Sequence, residues 1–235
     1  MRFLRGIFDN DSVFGQTMTR CGTLIGANLL FLLFSIPVVT IGASLSALYY
    51  TMLKCLRYKQ VDGLFSTFWE GFRDNFRQAT VAWLGILALA FFLVLEIFWC
   101  TQFTGFVAYF RYGLYVLLSM EILIALYLFP VMAAFRGSLP QLMKNSILFV
   151  GRRPLDLLQI LFVHIMPMVL TYTNIRFLPL FAFLWTAIGF SAIAMFGSSL
   201  LLKQFLPYLS SEDYEQTDMR KTEAEILEEM KQLDM

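Results

Sequence analysis

The sequence predicts an all-helical bundle that crosses a membrane several times, and three observations lead to this fold class. Apolar residues make up 58% of the 235 residues and charged residues only 15%, with a mean hydropathy of +0.67. Soluble domains carry about 25% charged residues. Four segments reach the length of about 20 apolar residues that a helix needs to cross about 30 Å of hydrocarbon. The basic residues, finally, gather in alternate loops.

The first apolar stretch, residues 23–53, carries no charged side chain but is interrupted by Pro37 and Gly42. It is too short for two full spans of about 20 residues each. We predict a helical hairpin with short arms, Thr23–Ser35 and Ile41–Leu53, because proline disfavours helix and glycine tolerates a turn conformation. The alternative is one long span with a proline kink and an external N-terminus.

Four full spans follow the hairpin, and the basic residues orient them. If the loops 54–78 and 135–154 and both termini are cytoplasmic, all of the 18 basic residues except Arg111 and Arg176 lie on one side. This positive-inside pattern favours the hairpin, because an odd number of crossings there would place the N-terminal arginines outside. The predicted spans are Ala79–Gln102, Gly113–Ala134, Leu155–Thr173 and Phe177–Leu202.

Two amphipathic segments lie on the predicted cytoplasmic side. In residues 64–77, large apolar side chains recur every four positions and charges occupy the other face, which is typical of a helix in the membrane interface. Within it, Glu70 with Arg73 and Asp74 with Arg77 have the spacing of surface ion pairs. A weaker example is Leu139–Val150, in which one face is predicted to hold Leu139, Leu142, Met143, Ile147 and Val150.

The last segment, residues 210–235, is an acidic tail with nine acidic and three basic side chains. Thr222 and Glu225 have the spacing of a helix capping box, so we predict a short helix in this cytoplasmic tail. The preceding residues, 1–209, are predicted to form a single transmembrane domain. An acidic tail argues against nucleic acid as a partner. The predicted environment of the spans is the lipid bilayer.

Three ionisable side chains fall inside predicted spans, Glu96, Glu121 and His164. Such groups are expensive in hydrocarbon and are by default candidates for function. Counted from the predicted outer ends of the spans, they could meet in one layer of the outer half of the bundle. Two interpretations stay open: a proton relay, or hydrogen bonds that hold helices together.

Enzyme motifs are absent from the sequence. It contains no GxSxG, HExxH, Walker or dinucleotide-binding motif, and one histidine with three cysteines outside any CxxC pair argues against a zinc site. We therefore expect a non-enzymatic protein with no cofactor, metal or catalytic residue.

Three stretches carry a resemblance to a known family: "SIPVVTIGASLSALYYTMLKCLRYKQ", "FWEGFRDNFRQATVAWL" and "LFPVMAAFRGSLPQLMKNSILFVGRRPLDLL". From about Arg20 to about Tyr208, the chain resembles the YesL-like family of integral membrane proteins, grouped as domain of unknown function 624. The resemblance implies a bacterial plasma-membrane protein whose genes commonly lie beside sugar-uptake ABC transporters, two-component regulators and glycoside hydrolases. It supplies no catalytic or binding residues.

The resemblance and the missing enzyme motifs together suggest an accessory or regulatory component of carbohydrate uptake or utilisation. A sugar ABC transporter or a sensor kinase is the partner that this context implies. The alternative is a small-solute or proton-coupled transporter, which the broken segment around Pro37 and the three intramembrane ionisable groups would favour.

Overall fold

The computed structural model of the protein describes residues 13–58 and 63–208, which contain helices and turns but no strand. Its helices are α1 Val13–Phe34, α2 Ile41–Tyr58, α3 Leu64–Thr101, α4 Phe106–Ala134, α5 Leu139–Arg152, α6 Pro154–Thr173, α7 Leu178–Leu184 and α8 Phe190–Phe205. A π-helical turn, Trp185–Gly189, joins α7 to α8, and 3-10 turns occupy Val38–Thr40, Ile175–Phe177 and Leu206–Tyr208. The first compact unit of the chain ends at Leu201.

Five helical segments are long and apolar enough to cross a membrane, so the all-helical, multi-pass class predicted from the sequence is confirmed. They are Val38–Arg57, Leu64–Thr101, Ala108–Ala134, Pro154–Thr173 and Ile175–Tyr208. The first arm of the N-terminal hairpin contains a shorter apolar helix, Met18–Phe34. The predicted acidic tail, residues 210–235, lies outside the described residues.

Between α1 and α2 the chain is interrupted around Pro37, which has no N–H to donate and precedes the 3-10 turn Val38–Thr40. The hydroxyl of Thr40 donates to the carbonyl oxygens of Phe34 and Pro37, at 2.6 and 2.8 Å. The indole Nε1 of Trp83, on α3, donates to the carbonyl oxygen of Val38 at 2.8 Å. Side chains therefore satisfy the backbone groups that the break in the helix exposes.

The two arms run in opposite directions, as their contacts with α3 reveal. On α2, Tyr50 lies over Gly71 and Lys54 forms an ion pair with Glu70 at 3.2 Å, so α2 is antiparallel to α3. In α1, Gly26 lies against Leu64. Eight residues later, the ring of Phe34 lies 4.9 Å from that of Phe72, so α1 is parallel to α3. The chain consequently reverses direction between Phe34 and Ile41.

The α3 helix joins two elements that the sequence separates. The predicted interfacial segment 64–77 and the predicted span 79–102 form one helix of 38 residues, Leu64–Thr101. At 1.5 Å per residue its length is about 57 Å, so it extends well beyond a hydrocarbon layer of about 30 Å. The side chains of Phe68 and Phe72, expected at the lipid headgroups, are buried in the protein because Phe34 of α1 covers them.

The ion pairs predicted along this helix are also replaced by others. Glu70 pairs with Lys54 of α2, and Asp74 lies 3.8 Å from Arg73 and 3.9 Å from Arg136, in the loop after α4. Tertiary packing brings Lys54 and Arg136 to the two carboxylates, whereas Arg73 is the neighbour of Asp74 in the sequence. The charges of this half of α3 thereby help to connect three elements.

Helices α3 and α4 form an antiparallel pair. The rings of Trp83 and Phe129 lie 6.2 Å apart, and the side-chain amide of Gln78 donates to the carbonyl oxygen of Gly137 at 3.1 Å. Because α2 begins beside Trp83, the two helices continue past the end of the α1–α2 hairpin. We call this part, residues 84–101 of α3 and 106–124 of α4, the distal hairpin.

The second amphipathic segment forms a separate helix, α5, close to its predicted bounds. It begins where the backbone N–H of Ser138 donates to Gln141 Oε1 at 3.1 Å. Of the predicted apolar face, Leu142 is buried in the protein, together with Ser146 and Phe149. The ring of Phe149 stacks on Phe135 at 5.9 Å, which turns Met143 and Ile147 outward.

Gly42, predicted to help the chain turn, is instead the second residue of α2 and has helical geometry. A Cβ atom at this position would lie 2.5 Å from the carbonyl oxygen of Ala79 and 2.5 Å from Cβ of Trp83. The glycine therefore allows the backbones of α2 and α3 to approach closely, as small residues do between membrane helices.

We expect Gly42→Ala to lower the stability of the detergent-solubilised protein by roughly 1–3 kcal/mol, the usual cost of overpacking. The reason is that the carbonyl of Ala79 cannot yield without moving α3. Gly85→Ala, also in a helix, is the matched control, since a Cβ there meets nothing within 4 Å. Thermal unfolding followed by size-exclusion chromatography measures both variants, and equal stabilities would contradict the close-packing interpretation.

Candidate functional site: polar side chains inside the bundle

Asn28 of α1 is completely buried and bonds to the π-helical turn more than 150 residues away. Its Nδ2 donates to the carbonyl oxygens of Trp185 and Thr186, at 3.0 and 2.7 Å. Its Oδ1 accepts from the backbone N–H of Ser191 at 3.0 Å. A π-helical turn changes the regular ladder and leaves backbone groups that need other partners. The side-chain amide of Asn28 is the partner of three such backbone groups.

Aromatic side chains surround this contact and extend it to α6. The ring of Phe190 lies 5.1 Å from that of Phe31 and 5.0 Å from that of Trp185. The Nε1 of Trp185 donates to the hydroxyl of Thr171 at 3.0 Å. The π-helical turn is therefore the place where α1 and α6 both contact the last part of the chain.

His164 of α6 bonds to Tyr49 of α2. Its Nδ1 lies 2.8 Å from the carbonyl oxygen of Ile160, which can only accept, so Nδ1 carries a proton. In the neutral ring Nε2 is then the acceptor, and the buried hydroxyl of Tyr49 donates to it over 3.3 Å. Gly197 of α8 packs beside the pair, since a Cβ there would lie 3.7 Å from the Tyr49 hydroxyl oxygen.

Glu121 of α4 is buried, with only 7% of its surface exposed. Both oxygens of its carboxyl group are inaccessible, and neither has a hydrogen-bond partner within the described residues. The pairs Trp83–Phe129 and Gln78–Gly137 set the register of α3 against α4 and place Glu121 near the level of Leu93. Unlike Asn28 and His164, this group has no polar partner that explains its burial.

The predicted layer of ionisable groups does not form as a bonded cluster. Neither a hydrogen bond nor an ion pair connects Glu96, Glu121 and His164 in the described part of the chain. One reason is that α4 begins at Phe106 rather than Gly113. This places Glu121 about 22 Å from the start of its helix instead of about 12 Å. Half-buried Glu96 lies near the end of α3.

The sequence did not single out Asn28 and Tyr49, which provide the best-defined polar contacts. Asn28 stands in an apolar run, where a lone amide is a signal for helix–helix bonding. Its partners, however, are backbone groups of an irregular turn that no motif specifies. For a metal, the described residues contain no group of three or more His, Cys, Asp and Glu side chains that could hold one.

Comparison with known families gives one match. A model of the family described as "Protein of unknown function, DUF624" matches residues 24–97, less than a third of the chain. The YesL-like label fits this family, so the resemblance is confirmed over α2, the second half of α1 and nearly all of α3. No curated protein and no solved structure matches the chain.

We expect Asn28→Ala to destabilise the protein by roughly 2 kcal/mol or more, since three hydrogen bonds of about 0.6–2 kcal/mol each are lost inside the membrane. The matched control is Asn75→Ala, because Nδ2 of Asn75 donates only to the carbonyl oxygen of Gly71 in its own helix, at 3.1 Å. Thermal unfolding in detergent compares the two variants. If both lose the same stability, the Asn28 contact does not hold α1 to the π-helical turn.

Proposed function

We propose that the protein is a non-enzymatic accessory or regulatory component of a carbohydrate uptake or utilisation system in the bacterial plasma membrane. The observation that carries this proposal is the distal hairpin, whose two apolar helices project past α1 and α2 with their outward faces uncovered. The link to carbohydrate rests on the family resemblance. A sugar ABC transporter or a sensor kinase is the proposed partner.

The surface of the distal hairpin suits contact with other membrane helices. Phe91 and Phe98 of α3 are 67% and 61% exposed, and Met120 of α4 is 57% exposed. Lipid can cover exposed apolar side chains as well as another protein can, so a specific partner would be selected by the shape of its surface. Gly85 and Gly113 leave open space where a Cβ would lie, which allows a second helix to approach closely.

The amphipathic helix α5 offers a second contact in this proposal. It packs on the protein through Leu142, Ser146 and Phe149, while Met143 and Ile147 stay exposed. With both termini in the cytoplasm, as the distribution of basic residues predicts, α5 and the acidic tail face the same side. A cytoplasmic domain of the partner would then meet both.

Site-specific photocrosslinking in cells tests the partner. We expect a benzophenone side chain at position 91 or 98 to form an adduct with a subunit of a sugar transporter or with a sensor kinase, identified by mass spectrometry. The same side chain in place of Phe162, which is 63% exposed on α6, is the control and should react with lipid alone. If positions 91 and 98 form adducts with lipid and with no protein, the proposal is refuted.

Cysteine labelling tests the proposed orientation. In a variant without native cysteines, we expect a membrane-impermeant maleimide to label Gln102→Cys, between α3 and α4, in intact cells. Arg5→Cys should react only after the membrane is permeabilised, because the hairpin returns the chain to the side on which it starts. Labelling of Arg5→Cys in intact cells would contradict a cytoplasmic N-terminus.

The second candidate function, a small-solute or proton-coupled transporter, is favoured by one observation, the buried Glu121 without a partner. Ionisable groups of this kind often mark ion pathways in membrane proteins. A Glu121 that does not react with a hydrophobic carbodiimide would remove this support.

A further inference from the structure

Glu121 is the only buried acidic side chain in the described part of the chain, and nothing assigned so far explains it. Asn28 bonds to the π-helical turn and the Tyr49 hydroxyl bonds to His164, whereas the buried hydroxyls of Ser44 and Ser198 are neutral groups that also have no hydrogen-bond partner within the described residues. Glu121 has none for either oxygen. Glu121 belongs to the distal hairpin, the same element that the proposed function uses, but it is buried there without any partner protein.

The helices packed on α4 place no cation beside this carboxyl. On α3, the segment near Leu93 is apolar, and its nearest charged residue is Glu96. On α4 itself the charged neighbour is Arg111, ten residues earlier and thus about 15 Å away along the helix. The helix α2 contacts α4 through Gly42 and Ser46, far from its own basic residues, Lys54 and Arg57.

The remaining neighbour, α5, carries Lys144, Arg152 and no acidic residue. It meets the far end of α4, where Phe149 stacks on Phe135. Phe135 is fourteen residues from Glu121, which corresponds to about 21 Å along a helix. No basic side chain of these neighbouring helices is therefore placed to neutralise the carboxyl.

An ionised carboxylate without a cation or a hydrogen-bond donor is far more costly in an apolar environment than the neutral acid. A metal cation would need several ligands, and the described residues contain no group of three or more His, Cys, Asp and Glu side chains that could hold one. A proton needs only one oxygen atom to bind. We propose that Glu121 is a proton-binding site inside the distal hairpin, where it is held as a neutral carboxyl group.

A hydrophobic carbodiimide provides the test. The acid proton moves to a carbodiimide nitrogen and the carboxylate oxygen adds to the central carbon. The acyl group then shifts to nitrogen and leaves a stable N-acylurea, so the whole reagent is added and nothing is lost. We expect dicyclohexylcarbodiimide to label Glu121 in membranes containing the full-length protein, and labelling to fall as pH rises, because the reaction consumes the proton.

Matched reagents and variants make the test selective. A water-soluble carbodiimide should label Glu70 and Asp74, whose side chains are 44% and 43% exposed, but not Glu121. Glu121→Gln should lose the hydrophobic label and Glu96→Gln should keep it, with peptide mass spectrometry locating the modified residue. The wild-type result stands by itself even if Glu121→Gln folds poorly.

Three outcomes would overturn the proposal: no hydrophobic label on Glu121, a label on Glu96 in its place, or equal labelling of Glu121 by the water-soluble reagent. None of them affects the photocrosslinking result, which uses positions 91 and 98. The proton site and the accessory role can therefore fail separately.

Discussion

In hydrocarbon every backbone N–H and C=O must find a partner within the protein, and this constraint governs two interruptions of the helical ladder, at Pro37 and at the π-helical turn. At the first break, the hydroxyl of Thr40 and the indole of Trp83 bond to exposed carbonyl oxygens. At the second, the amide of Asn28 bonds to the π-helical turn. Because Trp83 and Asn28 belong to other helices, their hydrogen bonds at the two breaks also connect distant parts of the chain.

Close approach of the helices follows from the same arrangement. With the break beside Trp83, α2 runs back along the first half of α3, and Gly42 and Gly71 remove the side chains that would keep the two apart. The packed part of the molecule therefore surrounds this half of α3. The second half continues with α4 as the distal hairpin, which the α1–α2 hairpin does not reach.

Polar side chains within the bundle fall into two groups, those that have hydrogen-bond partners and those that do not. His164 has an acceptor in its own helix and a donor in Tyr49, which is how a polar residue stabilises contacts between membrane helices. The Glu121 carboxyl is also inaccessible, but neither of its oxygens has a hydrogen-bond partner within the described residues. The hydrogen bond between Tyr49 and His164 explains why these two polar side chains lie inside the bundle. The Glu121 carboxyl has no such bond, so its burial requires a ligand. Activity, if the bundle has one of its own, is best sought in the distal hairpin.

The membrane environment, the all-helical class and the position of the break at Pro37 could be predicted from the amino-acid sequence, because hydropathy, span length and a missing N–H are properties of local stretches. The sequence also located Glu121 as an intramembrane carboxyl. The folded arrangement was needed to show that residues 64–101 form one helix, that Gly42 allows close packing, and that His164 bonds to Tyr49 rather than to a carboxylate. These features depend on helix rotation and on partners far away in the chain, which local patterns of apolar and charged residues do not encode.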